Sequence, residues 1–262
     1  MFLLGTIWFV LGAAIGSFLN VVVLRMPKGE PITGYSRCPV CKARLRYSEL
    51  IPLVSFILLK GKCKNCNTGI SWRYPILESV TALLFLGFWL AISPQTLAEY
   101  FFLFESLILS SFAVVVFVID FEHYLILDKL VFPFAVLFLA LNLLQDIILN
   151  QNFFSAWQGL LGAFFGALPF YLIWAFSKAR LMGFGDVKLM LPLGLVLGWP
   201  NILAGLFLAV SIGSVFGILL IILGKKTISS ALPFGCFLVL GAIIGQLYAD
   251  SLFSWYLSIL GL

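Results

Sequence analysis

Long apolar stretches, separated by short polar breaks, follow one another along most of the 262-residue chain. A run of roughly 17–25 apolar residues is long enough to cross the hydrocarbon core of a bilayer as a helix. Segments of alternating polarity, which a membrane barrel requires, are missing from the pattern. The spans predicted in this way are 2–24, 76–92, 101–119, 130–149, 157–176, 187–199, 201–223 and 231–249, with an apolar piece at 251–262 of open placement. The fold class is therefore an all-α polytopic membrane protein with about eight transmembrane helices.

The composition supports this interpretation, because 62% of the residues are hydrophobic and only 10% are charged. Soluble domains are about 45–50% apolar and about 25% charged, so this chain cannot bury its apolar side chains in a water-soluble core. The first apolar stretch has no basic region before it and no small-residue cleavage site at its end. We therefore interpret residues 2–24 as a membrane span and not as a signal peptide.

The basic residues are distributed unevenly, and ten of the 16 lysines and arginines lie in segment 25–75. Lysine and arginine accumulate in cytoplasmic loops, which predicts a cytoplasmic segment 25–75 and an N-terminus on the outside. The predicted domains are a first helix at 1–24, a polar domain at 25–75 and a membrane core at 76–262. The net charge of +5 then reflects topology and contact with anionic lipid, and it does not indicate a nucleic-acid partner. No oligomeric state follows from it.

Segment 25–75 contains two Cys-x-x-Cys pairs, formed by Cys38, Cys41, Cys63 and Cys66. A two-residue gap lets a tight turn aim both thiolates of a pair at one ion, so the four cysteines predict a tetrahedral zinc site. Such a zinc would be structural, because four protein ligands leave no position for a water. Disulfides are the competing interpretation, but they need an oxidising compartment, and this segment is predicted to be cytoplasmic. The fifth cysteine, Cys236, is interpreted as a packing residue.

Two aspartates lie at predicted membrane edges, where ionisable residues are costly and are candidates for function. Asp120 follows the apolar run 112–119, and Asp186 lies in the segment Gly183-Phe-Gly-Asp186-Val-Lys188. The predicted topology puts both at the cytoplasmic side. Two carboxylates that share one proton supply the base and the acid of an aspartic protease. Gly183 and Gly185 would let an extended substrate backbone approach the carboxylate.

Simpler interpretations of these aspartates exist. Asp186 can cap the helix that follows it, and Asp120 can be a charged residue at the end of a span. Asp128 is expected to support the pair or to cap the next helix. His123, the only histidine, has no serine or cysteine nucleophile motif to serve.

These residues together resemble the type 4 prepilin peptidases, a family of membrane aspartic proteases of the GxGD type. The resemblance covers most of the chain and is carried by the following segments: 16–27, 36–41, 51–55, 61–66, 70–78, Ile119-Asp120 with Asp128, 183–188 and 232–235. It implies an enzyme of the bacterial inner membrane that removes the basic leader of type IV prepilins or pseudopilins at the cytoplasmic face. Asp120 and Asp186 match the catalytic positions of the family, and Gly183, Gly185, Asp128 and Lys188 are expected to support them.

The resemblance implies a second activity, methylation of the new N-terminus with S-adenosylmethionine, although segment 25–75 has no glycine-rich nucleotide loop. Because a pilin leader is basic, we expect it to contact acidic residues: Glu30, Glu49, Glu78 and Glu122. The chain departs from the family at Leu127, where proline is usual, and at Cys236, where a second proline is common. We expect the first to change a turn and the second to have only local packing effects.

Two other classes of function compete with the peptidase. A transporter would use the aspartates for ion coupling, but these lie at one face instead of mid-span, and no inverted repeat is evident. A non-catalytic zinc-bearing assembly scaffold would not need the aspartates at all.

Overall fold

The computed structural model describes residues 2–150, 152–178, 180, 182–227 and 232–260, and within these ranges it is helical without a β-sheet. The helices are α1 (Phe2–Arg25), α2 (Val54–Leu58), α3 (Arg73–Ile92), α4 (Leu97–His123), α5 (Asp128–Gln145), α6 (Phe154–Phe176), α7 (Phe184–Leu197), α8 (Asn201–Ile222) and α9 (Phe234–Leu260). The all-α prediction is confirmed. The residues pack into two compact units, Met1–Gln95 and Thr96–Leu262. The predicted division at 24 and 75 stays a prediction.

Seven of the described helices are long and apolar enough to cross a membrane. The predicted span 187–199 corresponds to α7, which is shorter than these seven, with 14 residues and a rise of about 21 Å. This helix packs against α5, α6, α8 and α9. Its buried side chains include Leu189, Met190 and Leu193. The sequence pattern therefore found all seven long helices and also the shorter α7. The start of α7 lies beside the end of α6 (Trp174 against Phe184), and its end lies beside the start of α6 (Trp199 N–H to the carbonyl oxygen of Gln158).

Several boundaries differ from the predictions for local reasons. Helix α4 begins at Leu97 instead of 101, because Thr96 and Glu99 exchange side-chain and backbone hydrogen bonds in a capping box. It continues to His123, so Asp120 lies in the last turn of the helix and not after its end. Helix α9 runs through the predicted break at 250, and the described part of piece 251–262 continues that helix.

In the first unit, α1 and α3 pack closely along a line of small residues. A Cβ atom added at Gly12 or Gly16 would come within 2.8 Å of the α3 backbone, so only glycine permits this approach. Glu78 in α3 is buried, and its carboxylate accepts a hydrogen bond of 2.8 Å from the backbone N–H of Leu53. Leu53 has a positive φ of 61°. Glu78 thus fixes an otherwise unfavourable turn of the polar segment onto α3.

In the second unit, polar side chains and glycines fix the position of α7. Asn142 of α5 donates a buried hydrogen bond of 2.8 Å to the carbonyl oxygen of Leu195. Gly194 of α7 lies directly on the backbone of α6 at Gly162 and Ala163, and a side chain at either glycine would overlap the other helix. These contacts hold α7 in one register, and the start of α7 carries Asp186.

Candidate active site and cysteine cluster

The candidate active site is built from the last turn of α4 and the first turns of α7 and α9. Asp120 is 5% exposed, although it lies one turn from the end of its helix. Its Oδ2 accepts a hydrogen bond of 3.1 Å from the backbone N–H of Cys236, in the first turn of α9. Gly235 makes this approach possible, because a Cβ there would lie 2.8 Å from the same oxygen. The carboxylate of α4 therefore caps the start of α9.

Ile126, in the connection between α4 and α5, joins the parts of this site. A Cβ on Gly235 would lie 3.2 Å from Ile126 Cδ1, and a Cβ on Gly185 would lie 3.1 Å from Ile126 Cβ. The same side chain thus packs on the glycine beside Asp120 and on the glycine beside Asp186. A larger residue at either glycine would push these helix starts apart.

Asp186 lies in the first turn of α7, is partly buried and is outside the seven candidate spans. Burial raises the pKa of this carboxyl to about 7, and the neighbouring negative charge of Asp120 raises it as well. Two carboxyl groups that influence one another in this way hold a single proton between them near neutral pH. The fold thus brings together the two aspartates that the sequence singled out.

The predicted supporting residues have different surroundings. Lys188 Nζ contacts both carboxylate oxygens of Asp128 at 2.7 and 2.8 Å, which ties the start of α5 to the start of α7. The two glycines also differ. Gly185 packs on Ile126, whereas a Cβ added to Gly183 would have its nearest neighbour 3.9 Å away. Among the described residues, therefore, none packs closely on Gly183. Leu127 precedes α5 in extended backbone, with φ of −85° and ψ of 124°.

Sequence reasoning missed three features of this unit. It treated Cys236 as packing, yet the backbone of that residue binds Asp120, and its thiol lies 3.3 Å from the carbonyl oxygen of Phe117. Sequence reasoning did not indicate that Ile126 packs between the two parts of the site. It also passed over Glu105, which is buried inside the predicted span 101–119. The position of Cys236 just after Pro233-Phe-Gly235 could have indicated its role, because the N–H groups in the first turn of a helix have no partner inside the helix.

The four predicted zinc ligands gather in the first unit. The sulfur atoms of Cys38, Cys41, Cys63 and Cys66 all lie within 4.8 Å of one another. Cys38 Sγ and Cys66 Sγ are 3.8 Å apart. Four sulfurs at the zinc–sulfur bond length of about 2.3 Å stand about 3.8 Å apart in a tetrahedron. The cluster therefore fits a four-coordinate metal ion.

Each cysteine pair is held by the same backbone turn. The N–H of Lys42 bonds to the carbonyl of Cys38, and the N–H of Asn67 bonds in the same way to the carbonyl of Cys63. Lys42 and Asn67 both have positive φ, of 59° and 56°. An isolated antiparallel bridge closes each turn, Arg37 with Arg44 and Lys62 with Gly69. The segment thus contains two equivalent cysteine turns, here called knuckles, whose sulfur atoms point to a common centre.

Hydrogen bonds favour the thiolate form at two of the four cysteines, whereas desolvation and hydrogen bonding to Cys38 and Cys66 raise the pKa of Cys41 to about 11. The Thr68 hydroxyl lies 3.3 Å from Cys66 Sγ, and hydrogen bonding to Thr68 lowers the pKa of Cys66 to about 6. Backbone N–H groups of Cys41 and Val40 lower the pKa of Cys38. Metal ions bind the thiolate form, so both effects prepare the cluster for a metal.

Comparison with known protein families gives two matches. The family described as the bacterial peptidase A24 N-terminal domain matches residues 10–92, which contain the cysteine cluster. The type IV leader peptidase family matches residues 107–218, which contain Asp120 and Asp186.

Curated relatives match over nearly the whole chain. A prepilin leader peptidase/N-methyltransferase of Bacillus subtilis is 34% identical over 255 residues, covering 96% of this chain and 97% of the relative. The chain belongs to the type IV leader peptidase family. Relatives with the same name from Aeromonas salmonicida and Pseudomonas aeruginosa are 34% and 32% identical, covering 95% and 96% of this chain and 92% of each relative. No solved structure gives a significant match. The family and the seven apolar helices indicate a multi-pass protein of the inner membrane.

Proposed function

We propose that this member of the type IV leader peptidase family is an aspartic endopeptidase that removes the leader of type IV prepilins or pseudopilins. Asp120 and Asp186 are its catalytic pair. The observation that carries the proposal is the pair itself: two carboxyl groups come from separate helices, and Ile126 packs on the glycine beside each of them. Both residues fall inside the segment that the type IV leader peptidase family matches.

The chemistry needs no group other than the two carboxyls and a water. One ionised carboxylate takes a proton from the water as the water oxygen attacks the scissile carbonyl carbon. The other carboxyl donates its proton to the carbonyl oxygen, which gives a neutral tetrahedral intermediate. Gly183 is exposed, and its lack of a side chain would let an extended peptide backbone lie next to Asp186.

The proposal places the catalytic side at the cytoplasm, with the N-terminus outside. The basic residues of segment 25–75 support this orientation. Of the acidic residues expected to contact a basic leader, Glu49 and Glu78 already bind backbone N–H groups of their own unit. Glu30 is exposed, and it is the better candidate in that unit.

The four cysteines are proposed to hold a structural zinc ion. Their sulfur positions match a tetrahedral site, and four thiolate ligands leave no coordination position for a substrate or a water. The zinc would fix the two knuckles of the polar segment without taking part in hydrolysis.

A second activity, N-methylation of the cleaved pilin with S-adenosylmethionine as donor, is proposed from the relatives, whose names include N-methyltransferase. Mass spectrometry of a processed pilin tests it directly. A product that has lost its leader and gained one methyl group would support methylation, and an unmethylated product from protein supplied with S-adenosylmethionine would contradict it.

The peptidase proposal is tested by cleavage of a membrane-embedded prepilin with Asp120→Asn and Asp186→Asn. Each variant should lose about 10²–10⁴-fold in rate, because one proton-transfer group is lost while the shape is kept. The matched control is Asp250→Asn, which changes an exposed aspartate of α9 and should cleave normally. Retained cleavage in either active-site variant would refute the assignment.

A further inference from the structure

The two carboxyl groups of the pair differ in what donates hydrogen bonds to them. Asp120 Oδ2 accepts the buried backbone N–H of Cys236 at 3.1 Å. Phe234 is the first residue of α9, so this N–H is one of the four at a helix start that have no partner inside the helix. Burial of Asp120 disfavours a negative charge on it, and the amide and the positive end of the helix dipole both oppose that effect.

Asp186 has no comparable partner among the residues that the structure describes. It also lies in the first turn of its helix, but within the described ranges no N–H or side chain donates a hydrogen bond to its carboxylate. The nearest candidate cation on α7, Lys188, already contacts both oxygens of Asp128. Asp186 instead faces the charge of Asp120, and its pKa is raised.

The other titratable groups at these helix ends do not reverse this difference. On α4, His123 lies 3.9 Å from Glu122, and both side chains are partly exposed to solvent. On α9, the Cys236 thiol lies near the carbonyl oxygen of Phe117 and also interacts with the Asp120 carboxylate, in the same sense as the Cys236 N–H. Asp128, at the start of α5, is neutralised by Lys188.

We propose that the start of α9, acting through the Cys236 N–H, holds Asp120 in the ionised form, so that Asp120 is the general base and Asp186 carries the proton. This inference rests on the proposed function. In the first step Asp120 takes a proton from water, the water oxygen bonds to the scissile carbon, and Asp186 protonates the carbonyl oxygen. In the second step a hydroxyl of the intermediate returns its proton to Asp186, the C–N bond breaks, and the leaving nitrogen takes the proton from Asp120.

The substitution Cys236→Pro removes the N–H and leaves the carboxylates unchanged. Proline is tolerated in the first turn of a helix, where the backbone N–H is not used by the helix itself. The matched control is Cys236→Ala, which removes the thiol and keeps the N–H. The measurement is kcat/KM for prepilin cleavage as a function of pH in both variants and the wild type.

The proposal predicts which side of the pH profile moves. The acidic side reports the first proton lost by the pair, and the basic side reports the second. In Cys236→Pro the acidic side should move to higher pH by about one unit, because a carboxylate that loses an N–H donor binds its proton more tightly. The basic side should stay in place in both variants, and the acidic side of Cys236→Ala, which keeps the N–H, should move less than that of Cys236→Pro.

A shift of the basic side in Cys236→Pro would overturn the proposal, because it would mean that Asp120 is the last to ionise. A uniform loss of rate without a shift would also overturn it, since that is the effect of a merely structural contact. If Cys236→Pro does not fold, NMR of ¹³C-aspartate in the wild-type protein decides, with assignments from the two asparagine variants. The Asp120 carboxyl should titrate first, and the reverse order would refute the proposal.

These outcomes are separate from the test of the proposed function. Cleavage that survives Asp120→Asn would remove the catalytic pair altogether. Cleavage that depends on both aspartates but shows an unmoved acidic side in Cys236→Pro would leave the peptidase in place and remove only the assignment of base and acid.

Discussion

The cysteine cluster and the aspartate pair are assembled in different ways. The four cysteines lie in one polar segment, and each pair is closed by hydrogen bonds of its own turn. The two aspartates come from α4 and α7, and Asp120 is completed by an N–H from α9. The first site depends on local backbone conformation, whereas the second depends on how three helices pack.

This difference has consequences for what a substitution does. Damage to the cysteine cluster should remain in its own segment, because its turns are local. Damage to the packing of α6 on α7 should reach the aspartate pair without touching it, because Asp186 is carried by α7 and α7 is positioned by its neighbours. The following experiments test this contrast, from the largest expected effect to the smallest.

The largest effect is expected for the double substitution Cys38→Ser and Cys63→Ser. Each knuckle loses one thiolate, so the metal site loses half of its ligands, and structural zinc sites contribute about 10–16 kcal/mol of apparent binding free energy. Metal analysis of the purified wild type should find about one zinc per chain, because four thiolates bind one ion. The variant should contain none. The control is Cys236→Ser, outside the cluster. A folded, active wild-type protein that is purified without any bound zinc would contradict the zinc site.

The next effect concerns helix packing and is tested with Gly194→Ala. The added methyl group would overlap the backbone of α6, so we expect a loss of about 1–3 kcal/mol or more in the free energy of unfolding, together with reduced cleavage. Thermal unfolding in detergent measures the first and a cleavage assay the second. Gly87→Ala, in α3, is the matched control, because the added Cβ would have no atom within 4 Å. Alanine favours a helix more than glycine does, so this variant should be neutral or slightly stabilising. Equal behaviour of the two variants would disprove the packing argument.

The pH dependence of stability gives a smaller effect. The pKa of Asp186 is about 7 in the folded protein against an ordinary 3.8, so between these values the folded state binds the proton more tightly than the unfolded state. Stability from this group is therefore present below about pH 4 and is lost as the pH rises through 7. Asp186→Asn should melt at a higher temperature than the wild type at pH 8 and at the same temperature near pH 4. A difference that is independent of pH would mean that burial of the charge is not the cause.

The smallest effect is expected for Lys188→Met. The ion pair between Lys188 and Asp128 is partly exposed, and such pairs contribute about 0–1 kcal/mol. The substitution should change the free energy of unfolding by less than the Gly194 variant and should leave the cysteine cluster loaded with metal. Asp128→Asn removes the other partner and should give a similar small change. A large loss of cleavage in Lys188→Met with normal stability would assign the lysine a direct role in substrate binding.

Much of the molecule was predictable because membrane helices and cysteine knuckles are encoded locally. Apolar runs gave the positions of the long helices, and the spacing of Cys38, Cys41, Cys63 and Cys66 indicated one metal site. Boundaries were less accurate, since the capping box at Thr96 and the unbroken α9 depend on hydrogen bonds and packing that hydropathy does not record. The prediction of catalytic roles for Asp120 and Asp186 stays a prediction until the variants are measured.

The sequence by itself determined that the chain is helical, that most of it is apolar enough for a bilayer, and that two aspartates and four cysteines are its chemically distinctive residues. Only the tertiary structure decided that Ile126 packs on the glycines beside both aspartates and that Cys236 donates its N–H to Asp120. The physical reason is the distance along the chain over which each kind of interaction acts. Hydrophobic periodicity and turn chemistry act over a few residues, whereas the difference between the two carboxyl groups arises where distant helix ends meet.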